Sequence, residues 1–255
     1  MWTIREEQTE AFRQHHLQKF EDQMVAHLEK FAPRHWRVIG EPTGREVIRL
    51  GIEQAKKYGF TNRGPVRFYI ELMFMFGSYF DTDPQYPWVQ AALRDPEPMD
   101  QMVRADRLFD ALNEYMAQVT GPKHKNVIDA LKRLSKTKIE EVARPGVPLD
   151  ESAARELQTA YPQTCDYLGE PTVKLLIQHS FELARVYGFD SAHGKLLMVG
   201  LTFFMGHNFP NDPLCAWIGR RLEAKRRPGP AERTEELYAK ATLYMKHVLA
   251  ESGKG

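Results

Sequence analysis

Apolar positions recur every three or four residues along most of the chain and nowhere alternate with polar ones, a pattern that predicts helices and no strands. Phe12, Leu17, Phe20, Met24, Leu28 and Phe31 form one stripe, so a long amphipathic helix is expected there, opened by a capping box at Thr3-x-x-Glu6. Val47, Ile48, Ile52 and Ala55 predict a second helix, with Thr43 as N-cap and Glu46 completing its box. Tyr58-Gly59-Phe60 reads as its stop: glycine suits the left-handed position after a helix, and the next aromatic folds back on the last turn. Val66 through Phe76 is apolar nearly all round, the mark of a central buried helix. Asp83-Pro84 then reads as N-cap and first-turn proline of a short helix that carries Trp88 inward.

The same order of signals returns later in the chain. Pro33 to Trp88 aligns without a gap to Pro162 to Trp217, at a constant shift of 129 residues. Gly40-Glu-Pro-Thr43 matches Gly169-Glu-Pro-Thr172, Tyr58-Gly-Phe60 matches Tyr187-Gly-Phe189, and Gly77, Phe80, Asp83, Pro84 and Trp88 match Gly206, Phe209, Asp212, Pro213 and Trp217. Tyr115-Met116 still pairs with Tyr244-Met245. A repeat of this length implies an all-α chain of two tandem copies of one helical unit, about six helices each, packed with pseudo-twofold symmetry. The copies are expected at 1–120 and 121–255. In the second, Arg144-Pro-Gly-Val-Pro148 breaks the long first helix, so two shorter ones are expected at about 124–143 and 150–160. Amphipathic helices are expected over 102–116 and 232–249, and loops at 95–98 and 227–230.

Composition narrows the partners rather than the fold. Lys and Arg number 35 against 34 Asp and Glu, so no whole-molecule field favours nucleic acid or an anionic membrane. Two cysteines without a C-x-x-C pair argue against a disulfide framework and fit a reducing, cytoplasmic setting. The start of the chain is polar, so no secretory signal is expected, and the apolar run 196–205 falls well short of the roughly 18 residues a bilayer span needs.

Phosphate, dinucleotide, acyl-transfer and zinc-protease motifs are absent from the sequence, which favours a non-enzymatic protein without catalytic residues, metal site or cofactor. The rival is an enzyme or a small-ligand or metal-binding protein using the acidic loops, with Asp81 and Asp83 near Glu41 and Asp212 near Glu170. Against it, a carboxylate just before proline is satisfied by the amides of the turn it opens. His193, His207 and Cys215, or His15, His16 and His35, match no familiar ligand spacing. Glu71 stands alone in an apolar helix, with Arg67 four residues back as its natural partner. Basic runs at 132–138 and 220–227 read as solvated helix faces.

Glu6-Glu-Gln8, Phe12, Phe20 to His27, Tyr58-Gly-Phe60, Leu72 to Pro84 and Pro87-Trp88 carry a resemblance to small helical proteins encoded beside bacterial type VI secretion or polymorphic-toxin genes. It covers about residues 3 to 116, and the second copy departs from it at 205–213. The resemblance implies an accessory of a secreted toxin or effector, either a cognate immunity protein or a loading chaperone or adaptor, whose partner is a protein. Positions that differ between copies and reach solvent are where a partner is expected. The loops 78–82 and 207–211 are the first choice, giving Tyr79, Tyr86, His207, Asn208, Arg220 and Arg221 as candidate contacts.

Overall fold

The computed structural model describes residues 6–94, 100–223 and 229–252. The chain is all-α, with no strand among the described residues. The first copy holds α1 (Glu6–Phe31), α2 (Pro33–Lys57), α3 (Arg63–Phe76), α4 (Pro87–Leu93) and α5 (Gln101–Tyr115). The second holds α6 (Lys125–Leu134), α7 (Ile139–Val142), α8 (Leu149–Ala160), α9 (Pro162–Tyr187), α10 (Ala192–Met205), α11 (Ala216–Glu223) and α12 (Pro230–Ser252). Among the described residues no helix is long and apolar enough to cross a membrane.

Element boundaries recur at the shift seen in the sequence. The central helices α3 and α10 coincide at both ends under it, and each is followed by a 3-10 turn, Phe80–Thr82 and Phe209–Asn211. Both glycine stops have the expected form. Phe60 N–H donates to the Ala55 carbonyl and Phe189 N–H to that of Ala184, and both rings are buried.

The N-caps at Thr43 and Thr172 are corrected. Both residues lie inside helices that kink one turn earlier, at Gly40 (φ 74°) and Gly169 (φ 74°), a left-handed backbone that glycine adopts without steric cost. Pro42 and Pro171 follow within the first turn after each kink, where a missing N–H costs nothing. The short helix after Asp83 also starts later than expected, at Pro87, and a break at 135–138 splits the helix expected over 124–143 into α6 and α7. The Thr3 box and the loops at 95–98 and 227–228 lie outside the described residues.

Burial sorts the apolar stripe of α1. Met24 and Leu28 are in the core and Phe20 packs at its edge, while Phe12 (63% exposed), Leu17 and Phe31 face solvent. Ion pairs also cross from α1 to α2. Glu21 accepts from Arg45 and Arg49, both at 2.9 Å, and these cations hold its carboxyl below the usual range. Glu71 takes the expected Arg67 at 2.8 Å and adds His27 of α1 at 2.6 Å.

The two repeated tryptophans are not equally buried. Trp88 is 8% exposed, whereas Trp217 is half-buried under the Arg221 guanidinium. Trp88→Ala should therefore cost about 3–5 kcal/mol and Trp217→Ala on the order of 1–2 kcal/mol, read from urea unfolding midpoints. Equal losses would contradict this difference in burial.

Candidate functional site

The two copies meet through the loops that follow their central helices. Each loop begins at a glycine with positive φ, Gly77 (98°) and Gly206 (94°), and each ends at an aspartate before proline. Asp83 Oδ1 accepts from Gln85 N–H at 2.9 Å and Asp212 Oδ1 from Leu214 N–H at 2.8 Å, the local turn-capping role expected of them. Their other oxygens cross to the opposite copy. Asp83 Oδ2 accepts from His207 N–H at 2.8 Å, and Asp212 Oδ2 accepts from Ser78 N–H at 2.8 Å. Ser78 and His207 are aligned positions in the repeat, as are Asp83 and Asp212, so the contact is reciprocal in the manner of an isologous interface.

This arrangement needs glycine before each amide. A Cβ on Gly77 would stand 3.3 Å from Asp212 Oδ2, and one on Gly206 would stand 3.2 Å from Asp83 Oδ2. Both carboxylates are buried, at 1% and 3% exposure. Gln85 adds a further crossing bond, from its Nε2 to the Thr202 carbonyl at 3.1 Å.

The identical carboxylates have unlike surroundings. Asp212 receives a second bond from the Ser78 hydroxyl at 2.6 Å; burial raises its pKa, and the bonds from Ser78 and Leu214 and the nearby His35 work against the rise. His35 is itself pushed down by burial, with Asp212 opposing, and its ring meets Phe74 edge-on at 5.9 Å. Asp83 instead faces the His207 imidazole, Nδ1 to Oδ2 at 3.3 Å. His179 Nε2 donates to the His207 carbonyl at 2.8 Å, which fixes the proton on that nitrogen.

Beside the clamp lies a cavity of about 280 Å³ that both copies line. Phe76, Tyr86 and Tyr115 come from the first copy; Tyr161, Phe203 and Phe204 come from the second. Tyr86 packs on Phe76 at 4.9 Å and on Tyr115 at 5.8 Å, and Tyr115 reaches Tyr167 of the second copy at 5.3 Å. The polar groups on the wall are Gln85, Thr120, Asn126, Gln163 and Thr164, and no lining residue carries a charge. Burial raises the hydroxyl pKa of Tyr86, Tyr115 and Tyr161, so the phenols are neutral too.

The candidate contacts divide. Tyr86 is on the cavity wall. Tyr79, His207 and Asn208 are half-buried in the clamp: Tyr79 donates to the Asn211 carbonyl at 3.4 Å, and Asn208 Oδ1 accepts from Asn211 at 2.7 Å. Arg220 is exposed on α11, and Arg221 bonds the Trp217 carbonyl at 2.8 Å. The expectation that both loops reach solvent holds at Thr82 and Asn211, which are exposed, and in part at Tyr79, His207 and Asn208; it is corrected at Ser78, Asp81 and Pro210, which are buried. Asp81 accepts from Tyr58 at 2.7 Å. Glu41 and Glu170 lie away from these loops in exposed pairs with Arg45 and Lys174. Among the described residues no three His, Cys, Asp or Glu side chains group as metal ligands.

Sequence reasoning missed Gln163, Thr164 and Phe203 because their cavity neighbours are far away in the chain. Asp83→Ala and Asp212→Ala should each destabilise by about 2–4 kcal/mol, since each leaves two backbone amides without their acceptor. A Ser78→Ala, Asp212→Ala cycle should show coupling on the order of 1 kcal/mol or more in urea unfolding. The raised pKa of Asp212 sets a sign with pH: its stabilising effect is full below the ordinary carboxylate value and lost as pH rises through its folded value. Asp212→Asn should remove that decline from stability measured between about pH 3 and pH 7.

No family model matches the chain, and neither a curated protein nor a solved structure is significantly similar to it.

Proposed function

We propose that the chain is a non-catalytic, cytoplasmic protein-binding accessory of a bacterial secreted toxin or effector, acting as its immunity protein or its loading adaptor. In this reading the two copies pack as a pseudo-twofold pair, and the partner inserts an anchor side chain at their seam. The observation that carries the reading is the cavity itself: both copies line it, and its wall is aromatic and amide-bearing without charge. Such a wall suits a neutral amphipathic anchor, tryptophan, tyrosine or methionine, and disfavours an ion or a phosphate. Chemistry at Asp83 and Asp212 is disfavoured by their geometry, since all four of their carboxylate oxygens already accept hydrogen bonds away from water.

A pull-down of purified chain against the products of neighbouring genes tests the reading, with micromolar binding to one of them expected. Rescue of cells expressing that partner's toxic domain marks an immunity protein; a requirement for export without rescue marks a loader. Gln163→Trp, which adds bulk at the cavity mouth, should weaken binding by at least about tenfold, while Arg220→Ala should leave it within about twofold. The reverse order would move the contact surface to α11.

A further inference from the structure

Position 71 of the first copy and position 200 of the second are the same site on the central helix. Glu71 fills it in α3 and is tied to His27 and Arg67. In α10 the residue is Gly200, flanked by Val199 and Leu201 well inside the helix. Glycine in a helix interior is unfavourable, and two structural needs usually excuse it: a positive φ, or a neighbour too close for a Cβ. Neither applies here. Gly200 is not among the positive-φ glycines, and a Cβ built on it meets nothing within 4 Å. Gly194 in the same helix is the contrast, since its Cβ would strike the Phe189 carbonyl at 2.2 Å.

What the glycine leaves is space. A cavity of about 90 Å³ adjoins it, walled by Ile139, Val142, Leu157, Leu196, Tyr238 and Met245, from α7, α8, α10 and α12. Its polar groups lie in one connected cluster that includes the half-buried Glu156 carboxylate: Thr137 donates to Glu156 Oε1 at 2.9 Å, and the Tyr238 hydroxyl donates to the Thr137 carbonyl at 2.6 Å. Gly200 is half-buried, so the space is reached from outside. A cavity walled largely by apolar side chains does not hold water well, and since cavities on the order of 150 Å³ with apolar walls take benzene or xenon, one of about 90 Å³ takes at most a molecule of that size.

We infer that the second copy carries a binding site for a compact, uncharged hydrophobic molecule no larger than a single six-membered ring, created by glycine at position 200. The size follows from the volume, and the uncharged, hydrophobic character from a wall that is apolar except at the Glu156, Thr137 and Tyr238 cluster. The site is separate from the seam and does not depend on the role proposed there, although Phe204 borders both cavities.

Methyl-resolved NMR of the full chain, titrated with benzene and separately with xenon, tests the site. Saturable shifts are expected at the methyls of Leu157, Leu196 and Met245. Gly200→Leu fills the space with a better helix former, so it should melt no lower than the wild type and lose the saturable shifts. Gly200→Ala takes part of the volume and should weaken benzene binding by at least about threefold; it decides the matter if the leucine variant does not fold. No saturable shift in the wild type, shifts that survive both substitutions, or shifts confined to Val119 and Val127 of the seam cavity would each overturn the assignment.

Discussion

Two buried carboxylates tie together the loops at which the halves of this molecule meet. A carboxylate at 1% or 3% exposure must have its lone pairs satisfied by protein, or it protonates or unfolds its surroundings. Asp83 and Asp212 each meet that demand in two parts, one oxygen within their own turn and the other on a backbone amide of the opposite copy. Neither loop is therefore complete alone. The glycines at 77 and 206 follow from the same demand, because the amide after each must come within hydrogen-bond reach of a carboxylate that a side chain would crowd.

With the seam fixed in this way, the substitutions at the amides it clamps change its electrostatics. Serine at position 78 gives Asp212 a hydroxyl donor in addition to the amide. Histidine at the matching position, 207, instead lays an imidazole against Asp83 and spends its carbonyl on His179. A parallel exchange occurs where the helices cross. Gly51 lies under Ile70 and Met73 in the first copy, while its equivalent Ser180 bonds the Leu176 carbonyl and the Thr202 hydroxyl in the second. An apolar close approach in one copy has become a satisfied polar pair in the other.

The helical class, the element order and the glycine stops were legible in the sequence because each rests on residues a few positions apart. Phe60 and Phe189 fold back on helix ends only five residues behind them, and Arg67 finds Glu71 one turn away. The clamp was half legible for the same reason: aspartate before proline announces a turn, but the amide it reaches lies more than a hundred residues off. Thr43 misled because its capping box is good by spacing, while the backbone break was set by Gly40, where the left-handed conformation is easiest. Polar loop residues such as Thr82 and Asn211 do reach solvent, but nothing local reveals that Ser78, Asp81 and Pro210 between them are buried.

The cavity also bears on how many partners one chain would bind. A dimer of identical single-copy chains would carry two equivalent seam sites, and duplication within one chain frees the two sides to diverge. The positions matching Phe76, Tyr86 and Phe203 are Met205, Cys215 and Phe74. There the Cys215 thiol contacts the Met205 sulfur at 3.8 Å, and Phe74 stacks on Trp36 and meets His35. Soft, adaptable sulfur side chains on that side stand where the first side presents aromatic rings around open space. Under the proposed role this difference gives one partner site per chain.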